Sequence, residues 1–231
     1  MIQSNYLPWR GYFDFIDDVD IFVIYDDVQY TRKDWRNRNL IKTADGTKWI
    51  TVPVKFSQKK PTLIKDTEID FNQPWQRKHI GNITQAYRKA PFFELYSPEL
   101  FSLLQESYRT ISELNIALIR WCMEKFCIDV PLVSSSTFST AGGRSERIVD
   151  LIKQLGGSEY LVGPAAKAYI NEKLFEKEGI RLFYKSYRYP PYKQQFGPFE
   201  GLVSAIDLLF NCGVDARRYL KSLSPNRPAF S

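Results

Sequence analysis

Short apolar runs along the chain alternate with longer stretches in which apolar residues recur every three to four positions. Residues 20–25 (DIFVIY) are such a run and end in Asp26 and Asp27, the pattern of a buried strand with two acids at its carboxyl end. Ahead of it, Leu7, Gly11, Phe13, Phe15 and Ile16 suit a helical or turn-like segment around Pro8. A second strand is predicted over 48–54 (KWITVPV), after a turn at Asp45-Gly46. Residues 55–72 read as a polar loop. A helix is predicted over 75–90, broken at Pro91. One or two more lie within 98–127, where Leu100, Leu104, Ile111, Leu114, Leu118 and Trp121 keep helical spacing.

The second half repeats shorter units. A strand over 130–135 enters a serine-rich turn, and a helix over 145–155 is closed by Gly156-Gly157. A strand over 159–162, a helix over 165–178 stopped by Gly179, and a strand over 180–184 follow. A last helix begins near Ser204, and a loose tail is expected over 224–231, which holds Pro225 and Pro228. This alternation predicts the α/β class, a mostly parallel sheet covered by helices, with a helical segment inserted over about 75–127. One domain over 1–223 accommodates it. Ligands of such sheets sit beyond the carboxyl ends of strands. That rule points at Asp26, Asp27, the serines at 134–136 and the Gly163-Pro164 turn.

Composition narrows the function classes. With 44% hydrophobic and 25% charged residues over 231 positions, the chain can bury a sizeable core without staples. No apolar stretch approaches the roughly 20 residues of a spanning helix, and the start has no signal-peptide pattern, so a cytoplasmic protein is expected. The three cysteines have no metal-type spacing, which argues against a disulfide framework and a zinc site. Cys122 and Cys127 lie in an apolar helical run and read as buried thiols. A net charge of +6 suits an anionic small molecule, but the cations form no stripe and no nucleic-acid partner is expected. Aromatic residues reach 15%, and Tyr and Trp beside cations suit sugar rings and bases as well as core packing.

Several long motifs occur in order. They are Gln3-Ser4-Asn5-Tyr6-Leu7-Pro8-Trp9-Arg10-Gly11-Tyr12-Phe13, then Asp26-Asp27-Val28-Gln29-Tyr30, then Trp35-Arg36-Asn37-Arg38-Asn39, then Trp49-Ile50-Thr51-Val52-Pro53-Val54. Lys78-His79-Ile80, Lys89-Ala90-Pro91-Phe92-Phe93 and the segment from Ser204 to Gly213 continue the series. On these motifs the chain resembles the WbqC-like family to about residue 220. Members usually carry a short apolar strand before the first motif, where this chain has Met1 and Ile2. The resemblance implies an enzyme of bacterial surface-polysaccharide (O-antigen, lipopolysaccharide) precursor biosynthesis. Its expected activity is that of a transferase passing an acyl or aminoacyl group to a nucleotide-linked amino sugar. An acyl donor is then a second substrate, and no cofactor is expected. The alternatives are a metal-dependent, glycosyltransferase-like enzyme using Asp26 and Asp27 under a sugar diphosphate, and a non-catalytic nucleic-acid or assembly partner.

Candidate residues follow. His79, the one histidine, is a natural general acid or base at neutral pH. Asp26 or Asp27 could hold a hydroxyl or orient His79, but neighbours on extended chain face opposite ways, so one of the two is expected to serve. Asn5, Tyr6 and Trp9 occupy a loop suited to hydrogen bonding and ring stacking. Arg36, Asn37 and Arg38 suit a pyrophosphate or carboxylate. Tyr192, near Gln194 and Gln195, is a further sugar contact. For each of these residues, packing or a solvated loop is the competing reading. No Gly-x-Ser-x-Gly elbow accompanies the serines, no Gly-Lys-Ser/Thr follows Gly142-Gly143, and no His-x-Gly-His occurs, which argues against a serine nucleophile, a phosphate loop and adenylyl transfer of that kind.

Overall fold

The structure, a computed structural model, describes residues 1–57 and 59–230. Helix α1 (Arg10–Ile16) is buried along its whole length, Arg10 and Asp14 included. Strand β1 (Phe22–Ile24) follows it. On one side Ile2 bridges in parallel to Ile24, its N–H donating to Val23 O at 3.1 Å while Tyr25 N–H donates to Ile2 O at 3.0 Å. Strands β2 (Arg38–Thr43) and β3 (Gly46–Thr51) form an antiparallel hairpin closed by the Thr43–Gly46 pair. Gly46 turns the corner at φ +106°, a conformation that favours glycine. The two-residue connection permits only the antiparallel arrangement.

Helices α2 (Trp75–Tyr87), α3 (Phe93–Gln105) and α4 (Ile111–Lys125) fill the middle of the chain, as the spacing of apolar residues predicts. A reciprocal capping box starts α4, with the Thr110 and Glu113 side chains satisfying each other's backbone N–H groups. Strand β4 (Leu132–Ser134) returns to pair in parallel with β1. Then come α5 (Arg144–Gln154), β5 (Glu159–Val162), α6 (Glu172–Lys177), β6 (Arg181–Tyr184) and α7 (Ala205–Cys212). Strands β5 and β6 are parallel, and β7 (Arg227–Pro228) pairs antiparallel with β6.

The α/β class therefore holds, but the mostly parallel sheet does not. The described strands form three small sheets of two, two and three strands, with parallel and antiparallel pairs mixed. The apolar side chains gather in two clusters. The larger joins α1, β1, the hairpin, the three central helices and α7; the smaller lies between α5, α6, β5 and β6. Residues 224–230 of the expected loose tail make specific contacts. Besides the β7 pairing, Asn226 donates to Asp18 at 3.0 Å and accepts from Ser186 N–H at 3.2 Å. A buried charge cluster holds the same region. Lys185 Nζ lies 2.6 Å from Asp14 and 2.5 Å from Asp18, with 1% of its side chain exposed, while Arg217 pairs with Asp17 and Lys221 with Asp17 and Asp18. Cys122 is buried as expected. Cys127 is exposed, because the chain leaves α4 there at φ +53°. No helix among the described residues is long and apolar enough to cross a membrane.

Candidate functional site

The turn before β2 and the end of β3 enclose a cleft of about 360 Å³, with Arg32, Lys33, Asn37, Arg38, Asp70 and Gln73 in its lining. Two guanidinium groups are braced on aromatic faces there. Arg38 lies 4.1 Å from the centre of the Trp49 ring and Arg32 lies 5.5 Å from that of Phe56. Arg38 also donates to Lys33 O at 2.5 Å, which fixes a turn where Lys33 sits at φ +56°. Such a strained residue persists only where its surroundings hold it. Asn37 is buried. Its Nδ2 donates to Val52 O at 2.7 Å, and Val52 N–H donates back to Asn37 O at 2.7 Å. Its Oδ1 has no partner among the described residues, and neither does Arg38 Nε. A buried acceptor left unmatched costs about 1–3 kcal/mol, and this one belongs to a residue that lines the cleft. Burial pushes the Tyr30 phenol up to about 12, so it lines the cleft as a neutral hydroxyl.

His79 stands behind this cleft. Its Nε2 donates to the carbonyl of Thr51, a lining residue, at 3.1 Å, and its Nδ1 accepts from the Tyr6 hydroxyl at 2.8 Å. The carbonyl fixes the tautomer, since it can only accept. Burial pulls the imidazole down to about 4, against a smaller upward pull from the Thr51 bond. His79 is thus neutral at pH 7, 4% exposed, with both nitrogens engaged. Burial holds the Tyr6 phenol well above its ordinary value.

Asp26 and Asp27, which follow β1, face different partners. Asp26 is buried and accepts from Ser4 N–H at 2.8 Å and from the Ser112 hydroxyl at 2.5 Å, tying the first loop to α4. Asp27 accepts from the Ser135 hydroxyl and lies 3.0 Å from Arg147 of α5. Arg36 donates to Asn5 Oδ1 and, at 3.2 Å, to Gln3 Oε1. Asn115 donates to Ser4 Oγ at 3.1 Å and to Arg36 O at 2.8 Å.

The expected residues therefore separate. Asn5, Tyr6, Arg36, Asn37, Arg38 and His79 gather around residues 35–39, where the chain enters β2, with Asp26 behind them. Trp9 and Tyr192 lie elsewhere, in a group built on Arg10. The Arg10 guanidinium sits 4.8 Å from the Tyr189 ring and 5.3 Å from that of Tyr192, while Trp9 packs at 5.7 Å from Tyr189. The Tyr192 hydroxyl donates to Asp207 at 2.8 Å. Burial raises the Asp207 carboxyl, whose Oδ2 has no described partner. Arg32, Lys33, Asp70 and Gln73 are cleft residues that sequence reasoning passed over. Arg32 and Lys33 border the Arg36–Arg38 run, whereas Asp70 lies in the stretch that reads only as polar loop and Gln73 follows just after it.

The model of the WbqC-like protein family matches residues 3–219, a span that contains every cleft residue named above. The chain belongs to the WbqC-like protein family. An uncharacterised protein of Mycobacterium tuberculosis is 41% identical over 223 residues, covering 96% of each chain. No solved structure matches. In this WbqC-like chain, the matched span contains both the loop at 3–9 and residues 35–39.

Proposed function

We propose that the protein is a transferase of surface-polysaccharide precursor biosynthesis that holds an anionic sugar, carried on a nucleotide, in the cleft beside Asn37 and Arg38. The observation that carries this reading is the unmatched, buried Asn37 Oδ1 in a cleft walled by Arg32, Lys33 and Arg38. An acceptor beside three cations suits a ligand with a hydroxyl or amine at one end and a phosphate at the other. A volume of about 360 Å³ is near the low end for small-molecule sites and suits a sugar with its first phosphate. The family membership supports the polysaccharide context.

The proposed reaction is acyl or aminoacyl transfer to the sugar amine. The amine nitrogen attacks the carbonyl carbon of the donor, a C–N bond forms, the bond to the leaving group breaks, and one amine proton is lost. Asp70 is the carboxylate in the cleft lining available as its acceptor. His79 has no nitrogen left over for that task and serves as a positioning residue, holding Thr51 and Tyr6. The metal-dependent alternative is less well supported, because the Asp26 oxygens are already taken up by Ser4 and Ser112.

Thermal unfolding in the presence of nucleotide-linked amino sugars, with and without magnesium, tests the reading. A ligand at about 100 times its dissociation constant adds about 2.7 kcal/mol. For a chain of this size that is a rise of roughly 5–10 °C. Arg38→Gln should abolish most of the rise. No rise for any such sugar, or an equal rise in Arg38→Gln, rejects the assignment. A rise that requires magnesium favours the metal-dependent enzyme.

A further inference from the structure

A second cleft, of about 550 Å³, opens at the carboxyl ends of the parallel strands β5 and β6. The Gly163-Pro164 turn leaves β5 there, and Lys185 to Arg188 leave β6. The far wall is the tail, with Ser224, Arg227 and Pro228. Its lining carries Lys167, Lys185, Arg188 and Arg227 and no acid. Lys185 is answered by Asp14 and Asp18. The other three cations have no carboxylate partner among the described residues. Three unanswered cations on one concave wall repel each other and raise the local potential for anions. Two are arginines, whose planar forks match phosphate oxygens in pairs.

The rim adds an aromatic face. Tyr187 also lines the cleft and is 38% exposed. Its ring is backed by Trp9 at 5.3 Å and Tyr189 at 6.4 Å, so it is held in place. Gly163 lies beneath it; a Cβ there would come within 3.7 Å of the Tyr187 hydroxyl. A flat, supported ring beside a cationic hollow suits a base stacked next to its phosphates. The volume falls within the range of small-molecule sites.

We infer that this second cleft binds a nucleoside diphosphate group, the phosphates meeting Lys167, Arg188 and Arg227 and the base lying on Tyr187. The inference rests on this cleft alone and stands whether or not the first cleft takes a sugar. A group carried on a nucleotide is the class of co-substrate that would bring such a diphosphate.

The test is calorimetric titration of the full chain with UDP, ADP, uridine and inorganic pyrophosphate at low salt. UDP or ADP should bind, uridine should not, and Lys167→Gln and Arg227→Gln should each weaken binding by about tenfold, the loss of one charge-assisted contact. Tyr187→Leu should weaken the nucleotides while leaving pyrophosphate unchanged. Arg120→Gln, on the exposed side of α4 and in neither cleft, should leave all four titrations unchanged. All these positions are exposed, so the variants should fold. Binding of neither nucleotide overturns the inference, as does UDP affinity unchanged in the Lys167→Gln/Arg227→Gln double variant. Pyrophosphate binding as tightly as UDP removes the nucleoside from it. Loss of binding in Arg32→Gln alone returns the ligand to the first cleft.

Discussion

His79 illustrates how far a single residue can be read from its type. A lone histidine in a family motif suggests proton transfer, but type says nothing about who occupies its two nitrogens. Here Tyr6 and Thr51 do, and burial sets the folded value at about 4 against 6.5 when exposed. The unfolded chain therefore binds the proton more tightly. Stability from this group is complete above pH 6.5 and is lost as the pH falls towards 4. At about 1.4 kcal/mol per pH unit, the loss approaches 3 kcal/mol. His79→Gln should lack it, so the stability difference between wild type and variant, measured by urea unfolding from pH 7 to pH 4, should shift by that amount. A constant difference would show that His79 is not buried as a neutral ring. Asn37 is the opposite case: it stands out in the sequence only as part of the Arg36–Arg38 run, and the structure adds a cleft and an unmatched oxygen of its own.

The elements were legible where periodicity was strong. The three central helices follow the spacing from Trp75 to Trp121, and Gly156 ends α5 at φ +69°, as the Gly-Gly pair indicates. Strand β2 was hidden because Arg38, Asn39 and Lys42 make it look like a loop. Asn39 and Lys42 are nevertheless buried, since Asn39 donates to the carbonyls of Tyr6 and Leu7, and Lys42 to Gln194 and Pro198. A sequence window cannot see partners 32 and 156 residues away. Helix α7 ends in a contact of the same kind. Gly213 sits at φ +57°, and a Cβ there would lie 2.4 Å from the Phe92 ring. Gly213→Ala should combine left-handed strain with a clash and cost about 2–4 kcal/mol, read as a lowered urea midpoint with an unchanged slope.

Across the whole molecule, the expected single parallel sheet breaks up because alternation gives the class of fold but not strand partners. Nothing in the pattern told the 38–51 hairpin from a parallel pair before its two-residue turn was placed. What joins the parts is the charge cluster around Lys185. Lys185→Met would leave Asp14, with no side-chain exposure, with only the more distant Lys221 at 3.8 Å as a cation, and should cost about 3–5 kcal/mol in equilibrium unfolding. Adding Asp14→Asn should recover part of that, which a merely steric effect of Met would not allow.

The same cluster orders events on the ribosome. Asp14, Asp17 and Asp18 emerge first, yet Lys185, Arg217 and Lys221 are made last, about 200 residues later for Arg217. Until they appear, the amino-terminal helix and the turn after it carry three acids without these counter-ions and cannot be sealed in place. A nascent chain stalled before residue 185 should therefore keep that helix open to protease, and a chain released at full length should protect it. Completion of translation, rather than any early collapse, releases the finished particle.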